Sequence, residues 1–256
     1  MILKLASPLL LALLLSAQNY IVPGRPRPAA AGGDCTDHSN LEVFYLGSDL
    51  GTVSSAVSAW SDSSGNGNDM SQATGDEQGT VATLGTGKSV LFDGSNDSLE
   101  MDSVFTATGV FTIATVVNAD TVSSTRTIVG GTLGGGSSAG KASLIRFDGG
   151  VGGVTEFTVR TQTPSGGDYT AADAVADDTT YIVVAGRKSD DSLFIYIDGV
   201  DASDGNSRSG TIPTQRMGRD GHDQEPYHGE IGTTCVWLAD HEASEQTIHD
   251  YLDTQH

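Results

Sequence analysis

The chain reads as an all-β protein: a two-sheet antiparallel β-sandwich with one short C-terminal helix, carried behind an apolar N-terminal arm. Three observations predict this. Gly supplies 33 of the 256 residues, and with Asp and Asn it provides the backbone angles that tight turns need. Charged residues make up only 18% of the chain, against about a quarter in ordinary domains; a helical bundle would need more Leu, Glu and Lys at a 3.6-residue period. Apolar residues recur in short runs bounded by Gly, Asp, Asn and Ser, which is how strands between turns read. All-β sandwiches of about 200–250 residues commonly form one unit. The division that follows is an apolar, Pro-rich arm or leader over residues 1–39 and one sandwich over residues 40–256.

The N-terminal segment allows two readings. Met1 to Ala17 is MILKLASPLLLALLLSA, a Lys followed by an apolar run, as in a secretory signal; the run is too short to span a bilayer. Against a simple signal stand Pro8 and the large Leu15 at the −3 position of a cut after Ala17. Val22 to Gly33 contains three prolines and favours an extended linker. A cleaved leader makes the protein extracellular or periplasmic. A retained arm needs a partner surface to cover its leucines, and docking on other copies or neighbouring subunits of a homo-oligomer would provide one.

Beyond Asn40 the elements follow in order. Leu41 to Leu46 is the first expected strand, and Trp60 to Asn68 is a dense turn with Asn-Gly at its centre. Ser89 to Phe92 leads through the turn Asp93 to Asp97 into Ser98 to Met101. In Phe111 to Val117, residues Phe111, Ile113, Thr115 and Val117 share one face, the pattern of a half-buried strand. Further strands are Thr127 to Val129, Ala142 to Phe147 and Thr155 to Arg160. Tyr181 to Ala185 and Ser192 to Ile197 form a hairpin across Asp190-Asp191. Glu230 to Leu238 is the last strand. Only His241 to Asp253 has helical periodicity, with Asp240 as its N-cap. This many short strands with one terminal helix make a two-sheet jelly roll.

Charge and cysteine content narrow the function. The net charge is −20, from 33 acidic and 13 basic side chains, so the surface repels phosphate backbones and no nucleic-acid partner is expected. Cys35 and Cys235 are too few and too far apart for a zinc site. They read either as a disulfide or as two buried thiols.

The order of motifs resembles the concanavalin A-like superfamily, in its laminin-G-like, pentraxin-type form. The resemblance rests on Trp60-x-Asp62-x-Ser64-Gly65-Asn66-Gly67-Asn68, then Val90-x-Phe92-Asp93-Gly94-x-Asn96-Asp97-x-Leu99 and Phe111-Thr-Ile113. Leu193-x-Ile195-Tyr196-x-Asp198-Gly199 and Met217-Gly218-Arg219 follow, and His228-Gly229-Glu230-Ile231 runs on to Trp237. It spans residues 40–253. One departure is Tyr181-Ile-Val-Val, where the family usually carries Trp-His-His-Val.

The resemblance implies a jelly roll, and functions from lectin to glycan hydrolase occur on it. Glucanases of the superfamily use Glu-x-Asp-x-x-Glu; here Glu100-Met-Asp102-Ser-Val ends in Phe105, which removes half of the carboxylate pair that glycan hydrolysis needs. The expectation is therefore a non-enzymatic interaction protein. Laminin-G-like domains often carry calcium at one rim, and two turns offer oxygen ligands: Asp62, Asn66 and Asn68, and Asp93, Asn96 and Asp97. The same residues serve equally as caps of their own turns. Tyr169, Tyr227, Arg219 and Asp220 are the candidate glycan contacts. The loop Gly218 to His228 also gathers His222, Asp223, Glu225 and His228, either as a solvated loop or as metal ligands. Because related domains occur in tailed-phage virion proteins, the expected role is a lectin-like domain on a virion surface. The alternative is a secreted, calcium-dependent carbohydrate-binding protein.

Overall fold

The computed structural model describes residues 34–256, apart from 123, 133–140, 150–154, 162–166, 170–174, 208, 221–222 and 224. In chain order the strands are β1 (Leu41–Tyr45), β2 (Ala59–Trp60), β3 (Met70–Ser71), β4 (Thr80–Leu84), β5 (Gly87–Asp93), β6 (Leu99–Ala107), β7 (Phe111–Ala119) and β8 (Arg126–Thr132). They continue as β9 (Lys141–Gly149), β10 (Thr155–Thr161), β11 (Gly167–Tyr169), β12 (Thr179–Arg187), β13 (Leu193–Ile197), β14 (Val200–Asp201), β15 (Ile212–Met217) and β16 (His228–Trp237). A 3-10 turn (Glu242–Ser244) runs into the helix α1 (Glu245–Gln255).

The strands form two antiparallel sheets. Sheet A has the order β14-β13-β12-β7-β16-β5-β4, with β1 also pairing β16; sheet B has the order β11-β10-β9-β8-β15-β6-β3-β2. β8 to β11 and β12 to β14 pair as successive neighbours, whereas β7, β15 and β16 join strands far apart in sequence, as jelly-roll connections do.

Two apolar cores hold the layers. Between the sheets lie Trp60, Phe92, Phe111, Ile113, Val117, Phe147, Phe157, Ile195 and Tyr227, among others. Behind sheet A, a second core joins Phe44, Ala114, Val116, Val184, Phe194 and Trp237 to Ile248 and Leu252 of α1 and to Cys35. This corrects the half-buried reading of β7. Phe111 through Val117 are all buried, because β7 is central in sheet A and α1 covers the sheet's far side. Its odd residues enter one core and Ala114 and Val116 the other, so both faces of the strand are apolar.

Local sequence explains the edges of the elements. Asp240 caps the 3-10 turn by accepting from the Glu242 amide at 3.1 Å, one turn before the regular helix begins. The Asp190-Asp191 turn is closed by Asp191 at φ 66°, with the Asp190 carboxylate accepting from the Ser192 amide at 3.0 Å. β2, β3, β11 and β14, each two or three residues long, carry no alternation that a sequence reading could use.

Cys35 and Cys235 form a disulfide with Cα atoms 6.3 Å apart. It fastens the first described turn to β16 of sheet A, beside the indole of Trp237, whose Nε1–H donates to the Cys35 carbonyl at 3.2 Å.

Candidate carbohydrate-binding face

Each sheet has one face against the other sheet. The far face of sheet A is covered by α1. The far face of sheet B has no described element lying over its middle, and its polar side chains follow from strand alternation. Glu100 stands between the core residues Leu99 and Met101, Arg146 between Ile145 and Phe147, and Arg216 beside Met217; each therefore projects away from the core. The segment from Gly218 to Tyr227 folds back over one end of this face. Its register is fixed by the Gly218 amide donating to the Ile128 carbonyl (2.9 Å) and the Thr127 amide donating to the Glu225 carbonyl (2.9 Å).

The result is a lattice of arginines and carboxylates. Arg216 pairs with Glu100 of β6 and with Asp223 of the loop. Arg219 reaches the Asp223 carboxylate at 3.4 Å. Arg146, 3% exposed, lies 3.4 Å from Glu225, which also accepts from the Thr127 hydroxyl at 3.0 Å. Arg126 donates to the Pro226 carbonyl at 2.8 Å. Guanidinium donors and carboxylate acceptors thus stand side by side, an arrangement that can engage vicinal hydroxyls as both donor and acceptor.

The structure redistributes the residues singled out from sequence. Tyr227 is fully buried, packed against Phe92 and Phe147, with its hydroxyl donating to the Asn118 carbonyl at 2.8 Å. Burial pushes that phenol well above its ordinary pKa. Asp220 is also fully buried. Neither is exposed to touch a glycan, which corrects that expectation: the loop turns inward to seal the core between β15 and β16. Arg219 keeps only a small part of its side chain, 12%, exposed. The side chain of Tyr169 and the whole of His222 lie outside the described residues. His228 leaves the loop cluster and lies 3.0 Å from Asp120. Glu100 was weighed from sequence only as a catalytic carboxylate, and Arg216 and Arg146 not at all; the signal for them is a lone charge beside or between core residues on a strand.

Both candidate calcium turns are bonded internally. One oxygen of Asp62 accepts from the amides of Phe44 and Ser64 (2.9 Å each), the other from the Asn68 amide (3.0 Å) and the Ser64 hydroxyl (2.7 Å). Asn66 and Asn68 donate to the carbonyls of Leu41 (2.7 Å) and Glu42 (2.8 Å). In the second turn Asp93 accepts from the Ser95 amide (2.8 Å), Asp97 from the Asp93 amide (2.9 Å), and Asn96 donates to the Asp76 carbonyl (2.8 Å). These are turn-capping roles, and among the described residues no group of three His, Cys, Asp or Glu side chains converges to hold a metal.

A concanavalin A-like sandwich with one polar sheet face, over whose middle no described element lies, is the class these observations define. No protein-family model and no curated protein matches the chain. Among solved structures, a Trypanosoma rangeli sialidase in complex with sialic acid is similar at TM-score 0.58 and 17% identity, over 86% of this chain and 34% of that one. Domain 4 of AbnA, a GH43 extracellular arabinanase from Geobacillus stearothermophilus, in complex with arabinotriose, is similar at TM-score 0.55 and 14% identity, over 83% of this chain and 98% of that domain. The binding domain of Paraclostridial Mosquitocidal Protein 1 is similar at TM-score 0.52 and 12% identity, over 84% of this chain and 52% of that one. The chain thus spans about a third of the sialidase it matches. At these identities the likeness is one of fold. It overturns the expectation of a non-enzymatic protein: the same sandwich stands in chains that are glycoside hydrolases, so a missing Glu-x-Asp-x-x-Glu pattern does not exclude an enzyme.

Proposed function

We propose that the sandwich is a carbohydrate-binding unit that takes glycan on the far face of sheet B. One observation carries this: of the two far faces, the one without a described cover presents paired Arg and carboxylate groups from β6, β15 and the Gly218–Tyr227 segment. Such pairs match neutral, hydroxyl-rich ligands, because guanidinium donors and carboxylate acceptors side by side can each bond a hydroxyl. That a domain of this fold holds arabinotriose in AbnA supports the ligand class.

The anchoring role fits the same geometry. The chain enters the described domain at Asp34 and is tied by Cys35 to the α1 side of sheet A, opposite the glycan face. An N-terminal arm leaving from there would hold the domain on a particle, such as a phage virion, with the glycan face outward.

A glycan array with the intact chain tests the binding. Glu100→Gln and Arg216→Met should each weaken retention about tenfold, the loss of roughly one charge-assisted hydrogen bond, with unchanged melting. Binding that survives both substitutions refutes the assignment. Assaying the retained glycans for released reducing ends decides whether binding is accompanied by hydrolysis.

A further inference from the structure

Three rings hold the segment that follows Cys35 against the back of sheet A. His38 meets the Trp237 indole edge-on, with ring centres 5.9 Å apart. His241, at the start of the 3-10 turn before α1, meets the same indole at 5.4 Å. The two imidazoles lie 5.0 Å from each other. Two hydrogen bonds fasten the backbone beside them. His241 Nε2–H donates to the Ser39 carbonyl at 3.1 Å, and the Leu238 amide donates to the Asn40 carbonyl at 3.0 Å. Trp237 is 0% exposed beneath this cover.

The cover is built for neutral imidazole. Nε2 of His38 is buried and has no hydrogen-bond partner among the described residues. A neutral ring needs only one N–H, which can sit on Nδ1, but an imidazolium carries two. Proton uptake therefore places an N–H on Nε2 with no acceptor, and a positive charge beside a second imidazole. The carboxylates nearby oppose this only in part. Asp34 and Asp37, on the same turn, favour the charged ring, but Asp34 already accepts from the Thr36 amide at 2.7 Å. On the His241 side, Asp240 accepts from the Glu242 amide at 3.1 Å, and Glu242 is paired with Lys188 at 2.7 Å. Burial, with His241 adding to it, outweighs Asp34 and Asp37 and holds the His38 ring below its ordinary pKa. An open segment, with His38 in water, takes the proton more readily than the closed one, so acid favours opening.

We propose that His38 and His241 form an acid-sensitive clasp: in mild acid residues 36–40 lift off Trp237, while Cys35 stays tied to Cys235. What acid releases is the Trp237 face of the second apolar core, an indole surface that neutral pH keeps shut. The disulfide limits the movement to the few residues between Cys35 and β1 and keeps it reversible. The clasp lies behind sheet A, and nothing in it depends on glycan binding at sheet B.

The test is amide hydrogen exchange of the full ¹⁵N-labelled chain at about pH 7.5 and pH 5, on either side of the ordinary histidine pKa, with each rate divided by that of an unstructured peptide at the same pH. The Leu238 amide, which reads the bond to Asn40, should lose about tenfold of its protection at the lower pH, as expected of one proton taken up on opening. The Val81 amide on β4, which donates to the Ser55 carbonyl at 2.8 Å, should keep its protection. His38→Phe leaves a ring against Trp237 that cannot titrate, so Leu238 should stay protected at both pH values. Should that variant fail to fold, the wild type still decides: the loss at Leu238 must share its midpoint with the His38 Cε1–H resonance. Protection at Leu238 that ignores pH, that falls equally in His38→Phe, or that falls together with Val81 overturns the proposal, as does a midpoint apart from that of His38.

Discussion

Reduction of the Cys35–Cys235 disulfide should cost this domain about as much as a large core truncation. The bridge closes a loop of 200 residues, nearly the whole described chain. In the chain-entropy account, a crosslink removes about 2.1 + 1.5R ln n cal/mol/K from the unfolded ensemble, which for n near 200 is about 5 kcal/mol at 25 °C. Native geometry does not offset this, because both cysteines are buried at the same β1–β16 edge: Phe44 faces Cys235 in register, and Cys35 packs on Trp237 through its own carbonyl. Urea unfolding with and without a phosphine reductant measures the effect without opening a cavity, which a Cys→Ala pair would. We expect a loss of about 3–5 kcal/mol, or a fall in Tm of roughly 10–20 °C for a domain of this size. The slope against urea should also steepen, since the uncrosslinked chain exposes more surface. A loss below about 1 kcal/mol, or two titratable thiols in the denatured, unreduced protein, would refute the reasoning.

Three further outcomes are expected. Arg187, fully buried, donates to the carbonyls of Gly109 and Gly210 (2.7 Å each) and stands 5.6 Å from the Phe111 ring centre; Arg187→Met leaves those carbonyls without these donors and should cost roughly 2–5 kcal/mol by chemical denaturation. Asp62→Ala removes four accepted hydrogen bonds, one from Phe44 of β1 and three from within the Trp60–Asn68 turn, and should cost about 2–3 kcal/mol, equally in EDTA and in millimolar calcium; a loss confined to calcium would make Asp62 a ligand. Burial lowers the pKa of His256 below 6.5, so the unfolded chain takes up the proton first. Its contribution is complete above about pH 6.5 and is lost as pH falls toward the lowered folded value. His38, lowered by burial and by His241, acts in the same direction. Asp97, Asp198, Glu230 and Glu245, all raised by burial, act in the opposite one. The difference between wild type and His256→Gln, which keeps an acceptor for Thr233 but does not titrate, isolates the effect: the variant should lose less stability between pH 7 and 5, and parallel profiles would show that the imidazole does not matter.

The order of motifs from Trp60 to Trp237 carries the fold, because turn chemistry and strand periodicity are local: Asp-Gly and Asn-Gly close turns wherever they occur, and alternation marks a strand before its partner is known. Trp60 and Trp237, which open and close that order, both lie in the core, 1% and 0% exposed. The candidate site was less legible. Tyr227 sits in a loop-like stretch of polar residues, and only the return of that stretch over β8 and β15 decides that its ring points inward. Asp220 was lost to the same folding. Arg216 and Glu100 are 116 positions apart in sequence, and only the pairing of β15 with β6 sets them side by side.

The sequence by itself determined the all-β class, the terminal helix, the acidic surface and the turns capped by Asp62 and Asp93, since each depends on residues within a few positions of one another. The tertiary structure alone decided which far face of the sandwich α1 covers, that β7 is buried on both sides, and that Cys35 meets Cys235. Those facts depend on contacts between residues that can be 200 positions apart. The close fit around His256 is of the same kind: a Cβ on Gly85 would lie 1.8 Å from the His256 carbonyl oxygen, and one on Gly232 would lie 2.4 Å from its ring. A glycine in a sequence signals freedom of backbone or absence of bulk, and only packing says which neighbour requires it.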